Sequence, residues 1–227
     1  MNTNIHVGYD PEQSIAYDVC KYSIVKHSSN NDISIYPING DTIKGYDRPN
    51  DPLASTPFTY ARFYVPLIND YKGFSIFCDG DFLFLEDIQK LIDQFNPQYA
   101  VQVVKHDYKP ENTLKMNDKV QSFYPRKNWS SLILWNNEHP KNKVLDFNLL
   151  NSSSGSFLHR FQWLDDSDIG EISYDWNWLV GWYNKTPERF PKALHFTEGG
   201  PWLVNGIKPD SEYDSVWCKY RDSFQYK

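Results

Sequence analysis

The sequence predicts a single α/β domain, one sheet with helices on both faces. Short β-rich runs recur along the 227 residues, and apolar helical patterns fall between several of them. Size points the same way. With 40% hydrophobic and 17% aromatic residues the chain can build one sizeable core, whereas two domains would be cramped.

In chain order, the runs IHVGY (5–9) and ISIYPI (33–38) read as the first two strands. STPFTYARFYV then predicts a helix with Ser55 or Thr56 as N-cap, Pro57 in the first turn and Pro66 disrupting its end. FSIFC (74–78) is a third strand. Ile88, Leu91, Ile92 and Phe95 recur at i, i+3, i+4 and i+7, which makes one apolar helical face. YAVQVVK (99–105) and SSLILWN (130–136) are further strands. In sheets of this kind ligands bind beyond the carboxyl ends of the strands.

Composition excludes several classes of function. A formal net charge of -6 argues against a large nucleic-acid surface, which needs clustered Lys and Arg to neutralise phosphates. Cys20, Cys78 and Cys218 are odd in number and lack CxxC spacing, so neither a disulfide framework nor a zinc knuckle is expected. The start MNTNIHVGYD has no basic-then-apolar leader, and no run approaches the roughly 20 apolar residues of a membrane span. The expectation is a soluble, cytoplasmic protein. Nothing in the sequence fixes an oligomeric state.

The run FSIFCDGDFLFLEDI poses the chemical question, because Asp79 and Asp81 interrupt an apolar stretch. A buried carboxylate is costly to desolvate unless something positive meets it. Two carboxylates flanking Gly80, which lets a ligand approach the backbone, can share one hard divalent cation. Two other readings stand beside this one. Asp-Gly is a common turn dipeptide. A DxD pair also serves phosphatase-like hydrolases, whose pattern asks for a small hydroxylated or β-branched residue where Leu83 stands, and for the first strand rather than the third.

Four stretches in a fixed order add context. They are IHVGYDPEQSIAYDVCKYSIVKHSS; FTYARFYVPLI followed by FCDGDFLFLEDI; NWSSLILWN and FQWLDDSDIG with YDWNWL; and ALHFTEGGPW. In these the chain resembles glycosyltransferases of the GT-A fold, near family 8, the retaining group that includes glycogenin and bacterial lipopolysaccharide galactosyltransferases. The resemblance implies a GT-A (Rossmann-like) domain with a mixed, mostly parallel central sheet. Residues 1–110 would form the nucleotide-sugar-binding part, 111–205 the acceptor side and 206–227 a C-terminal tail.

The activity it implies is metal-dependent transfer of a hexosyl group from a nucleotide donor, UDP by preference, to an acceptor hydroxyl with retention. His195 would join Asp79 and Asp81 on the metal, and two carboxylates with one imidazole suit Mn²⁺, with Mg²⁺ the alternative. Gly8 would admit the nucleotide to the backbone, Tyr9 would stack on its base, and Asp10 would accept from base or ribose. The acidic segment makes Asp166 the sugar-hydroxyl carboxylate, with Asp165 as its near competitor. Asn177 and one of Trp129, Trp163, Trp176 or Trp178 would help hold the sugar. Most of the tryptophans are expected in the core.

The departures are specific. The lysine that the family's KPW motif places on the diphosphate is absent, Gly200-Pro201-Trp202 standing there one residue closer to His195, and Ser167 replaces a glutamine near the anomeric carbon. Arg62 or Lys105 would then neutralise the diphosphate, with Arg62 alternatively pairing a DxD carboxylate. Two other classes remain. A nonenzymatic carbohydrate-binding protein explains the aromatic residues without needing the DxD pair and the distant histidine. A sugar-nucleotide nucleotidyltransferase shares fold and metal but begins with a glycine-rich basic loop, which GYDPEQS is not.

Overall fold

The computed structural model describes residues 2–49, 51–52, 54–107, 126, 128–184, 186, 189–203 and 212–225. Its strands are β1 (Thr3–Gly8), β2 (Ile33–Ile38), β3 (Phe74–Cys78), β4 (Phe82–Phe84), β5 (Val101–Val103), β6 (Leu132–Asn136), β7 (Ile169–Glu171), β8 (Trp178–Leu179) and β9 (Ala193–His195). The helices are α1 (Ser14–His27), α2 (Val65–Ile68), α3 (Gln89–Ile92), α4 (Phe147–Ser152), α5 (Gly155–His159) and α6 (Glu212–Gln225). Six strands form the main sheet in the order β2-β1-β3-β6-β5-β7. All are parallel except β6, which runs against both β3 and β5. A smaller sheet has the order β4-β9-β8.

Period-two alternation builds a core on each face of the main sheet. Phe77, Val101, Val103, Ile133 and Trp135 point to one side with Phe63, Tyr64, Leu150, Leu158 and Phe161. Ile76, Cys78, Leu132 and Leu134 point to the other, where Tyr17, Cys20 and Ile24 of α1 and Leu91 of α3 cover them. A third cluster joins Val19 to Leu83, Leu194, Tyr213 and Trp217 and so seats α6 against α1 and the smaller sheet.

Two expected helices are shorter than the sequence suggested. Ser55–Pro66 becomes a 3-10 turn (Ala61–Tyr64) that leads into α2. Pro66 lies in the first turn of α2, where its missing N–H costs nothing, so it opens a helix instead of ending one. The helical face from Ile88 to Phe95 is a single α-turn, because Pro97 bars αR geometry at Asn96 and the chain must reach β5. Residues 206–211 and 226–227 of the expected tail, and 111–125 of the expected acceptor side, lie outside the described residues. Within that tail α6 is a packed helix with Trp217 buried.

β1 carries a histidine with a consequence for stability. His6 is buried, its Nε2 accepts from the Asn69 amide (3.0 Å), and its ring stacks on Tyr36. Burial pulls its pKa from 6.5 down to about 4. The unfolded chain therefore takes up a proton that the folded chain refuses. Stability is full above pH 6.5 and falls as pH drops toward 4, by roughly 3 kcal/mol from this group alone. Urea unfolding at pH 7 and pH 4.5 is expected to show the loss, and His6→Gln to shrink it.

Candidate functional site

The carboxyl ends of β1, β3 and β5 converge, and the backbone there is close-packed by design of its glycines. A Cβ on Gly80 would collide with the Gly8 carbonyl oxygen, and one on Gly8 would lie 2.6 Å from the Phe58 ring. Only glycine at position 80 lets the DxD turn abut the end of β1, while Gly8 admits the Phe58 ring. Asp10 is engaged locally, its carboxylate accepting from the Glu12 N–H (3.0 Å) and the Gln13 amide (3.2 Å) to start the turn before α1. Tyr9 is half-buried edge-on against Tyr17.

Asp79 extends the β3–β6 ladder through its N–H to the Ser131 carbonyl (2.9 Å). Asp81 is followed directly by β4, which pairs with β9 so that Phe82 opposes His195. The imidazole lies on the Phe82 ring, with centroids 4.5 Å apart, and is 2% exposed. One potential ligand atom from each of Asp79, Asp81 and His195 lies within 4.8 Å of the others. His195 Nε2 is 3.4 Å from Asp81 Oδ1 and 3.9 Å from Asp79 Oδ2.

Those separations are too long for charge-assisted hydrogen bonds. They suit ligands around a cation, since donors roughly 2.0–2.6 Å from one ion stand about 3–5 Å from each other. A buried hydrogen-bond chain orients the ring. The Ser131 hydroxyl donates to the Asn128 carbonyl (2.7 Å) and so accepts from the Asn177 amide (2.8 Å). Asn177 Oδ1 is thereby turned to His195 Nδ1 (2.9 Å). Nδ1 carries the proton, and in the neutral ring the Nε2 lone pair faces the two carboxylates. Asn177, expected to help hold the sugar, is fully buried and lies behind the histidine. Asn177→Ala is expected to lower Mn²⁺ affinity about 10–100-fold, measured by calorimetry, while the fold survives.

Arg62 is buried under the same carboxylates. Its Nη1 meets Asp79 Oδ1 at 2.8 Å and donates to the Ser130 carbonyl, also 2.8 Å away, while Nε donates to the Thr59 carbonyl (3.0 Å). Of its two expected roles the geometry displays the pairing with a DxD carboxylate. Lys105, two residues past β5, is level with Asp79 by register, and its ammonium lies 5.8 Å from the Trp129 ring. Trp176 and Trp178 are core residues, and Trp163 packs on Trp135.

Asp165 and Asp166 are not brought to this group. They precede β7, whose first residue pairs with Val101 in the row of Trp135 and Ser75. At about 3.3 Å per residue that row is already ~13 Å from Asp79 along the strands. Asp165 binds Lys141 (2.7 Å), which also holds Asp168 (2.6 Å), and the exposed Asp166 pairs with Arg126.

No family model matches the chain. Protein CDI of Arabidopsis thaliana is 45% identical over 226 residues, spanning 97% of this chain and 86% of that protein. The chain belongs to the Protein CDI family. This CDI-family chain is also similar in structure to GlyE of Streptococcus pneumoniae TIGR4, a glycosyltransferase, with TM-score 0.63 and 14% identity over 97% of the chain; it spans 60% of GlyE. The galactosyltransferase LgtC, solved with donor and acceptor sugar analogs, aligns at TM-score 0.57 and 13% identity over 97% of this chain and 95% of its own. Mouse xyloside xylosyltransferase 1 aligns at TM-score 0.52 and 10% identity, covering 86% and 96%. The CDI-family chain thus has the GT-A fold that the sequence led us to expect. Among its described residues no helix is long and apolar enough to cross a membrane.

Proposed function

We propose that the chain is a metal-dependent glycosyltransferase that moves a hexosyl group from a UDP-sugar to an acceptor hydroxyl with retention. The observation that carries this reading is the meeting of Asp79, Asp81 and the oriented Nε2 of His195 at the carboxyl end of β3, in a fold shared with glycosyltransferases. Two carboxylates and an imidazole fit Mn²⁺, with Mg²⁺ the harder alternative. When bound, such an ion supplies Lewis-acid stabilisation of a diphosphate leaving group.

The chain's own residues then divide the work. Gly80 lets the DxD turn close on the end of β1, with Tyr9 and Asp10 just beyond it on the base and ribose side. Arg62 pairs with Asp79 and orients it, and Lys105 meets diphosphate charge in place of the lysine missing before Trp202. Asn177 Oδ1 accepts from His195 Nδ1 and so turns Nε2 toward the two carboxylates. Asp165 and Asp166 are engaged by Lys141 and Arg126 in this arrangement.

The test is donor turnover with UDP-glucose and UDP-galactose, in Mn²⁺ or in EDTA, with UDP and pyrophosphate assayed separately. Slow UDP release that needs Mn²⁺ is expected. Pyrophosphate release would make the chain a nucleotidyltransferase, and sugar binding without nucleotide or metal would make it a lectin. Absence of Mn²⁺-dependent UDP binding in calorimetry would remove the donor assignment.

A further inference from the structure

His106 takes no part in the site as assembled, but its partner Tyr183 turns back onto Leu179, the residue that pairs with His195. Three residues past β5, its N–H turns back to the Val104 carbonyl (3.1 Å), and its own carbonyl accepts from the Trp129 indole (3.1 Å). The side chain is 6% exposed. Nδ1 meets the Tyr183 hydroxyl at 2.7 Å and the two rings stack, while Tyr183 rests in turn on Tyr174 and Trp178. Nε2, on the opposite edge of the ring, is buried with no hydrogen-bond partner among the described residues. A fixed, buried polar atom left unsatisfied is costly, and folded proteins keep one where something else completes it.

The surroundings limit what that something is. Burial pushes the His106 pKa down to about 3, so the ring stays neutral. The ligand atoms of Asp79, Asp81 and His195 gather without it, which sets His106 outside the ion's own ligands. A neutral ring nitrogen suits an uncharged hydroxyl, whereas phosphate would call for a cation such as its neighbour Lys105.

We propose that His106 Nε2 hydrogen-bonds a hydroxyl of the sugar carried by the nucleotide donor, an inference that rests on the donor reading above. Tyr183 is its positioning partner, fixing the plane of the ring. The contact lies on the sugar and not on the nucleotide, so the two parts of the donor separate in a binding experiment.

Calorimetry in Mn²⁺ with UDP, UDP-glucose and UDP-galactose tests this on the wild type, His106→Phe and His106→Gln. The phenylalanine keeps the ring's volume without its nitrogens, and the glutamine keeps a hydrogen-bonding end. His106→Phe is expected to bind UDP within about twofold of wild type and to lose roughly tenfold in affinity for the preferred UDP-sugar, with His106→Gln recovering most of it. Unchanged UDP-sugar affinity in His106→Phe would reduce the residue to packing and overturn the proposal. Equal losses for UDP and UDP-sugar in both variants would also overturn it. A wild type that binds no nucleotide would remove the donor reading itself, and this inference with it.

Discussion

Asp81→Asn is expected to cost roughly 10²–10³-fold in kcat/KM and to abolish Mn²⁺-dependent UDP binding. That range corresponds to about 3–4 kcal/mol, in line with the several kcal/mol that a Lewis acid supplies to a charged transition state. The substitution keeps the side chain's shape, and the Asp81 carbonyl still accepts from the Phe196 N–H at 3.2 Å, so the backbone has no reason to move. What changes is one anionic donor, 3.4 Å from His195 Nε2. Thermal unfolding separates the effects. Mn²⁺ should raise the wild-type midpoint through binding to the folded state alone, and should leave the variant's midpoint where it was. A Mn²⁺-induced shift of wild-type size in Asp81→Asn would exclude Asp81 as a ligand.

Arg62→Leu should destabilise the protein by about 3 kcal/mol, because removing one partner of a buried ion pair leaves the other charge exposed to the desolvation it had escaped. Arg62 and Asp79 side chains are only 7% and 15% exposed, so solvent cannot replace the guanidinium fully. The variant also loses donors to the Thr59 and Ser130 carbonyls. Urea denaturation measures the loss. Adding Mn²⁺ is expected to restore part of it, since an ion beside Asp79 supplies positive charge to the same carboxylate. Combining Arg62→Leu with Asp79→Asn should cost less than the two single changes summed. Strict additivity would mean that the pair does not interact in solution.

The main sheet was legible where one strand's pattern sufficed. ISIYPI and FSIFC are β2 and β3 to the residue, and YAVQVVK and SSLILWN contain β5 and β6. The reversed direction of β6 was not legible, because alternation reads the same in either direction. Nor were β4, β8 and β9, whose two or three residues carry no periodic signal and exist through pairing with each other. Asp79, Asp81 and His195 were legible as residue types in order, since a carboxylate pair inside an apolar run and a histidine before GGPW are local facts. The Ser131–Asn177–His195 chain was not, because it joins three segments that only folding brings together. The segment containing Asp165 and Asp166 matched by spelling, but spelling does not say at which end of a strand a loop falls.

β9 brings His195 to Asp81 by pairing with β4, although more than a hundred residues separate them. On the ribosome the two carboxylates emerge first, and the imidazole follows only after most of the main sheet has been made. A nascent chain therefore holds two of the three clustered side chains until the last short strand docks. If the site takes manganese as proposed, uptake would count finished molecules rather than merely folded sheets.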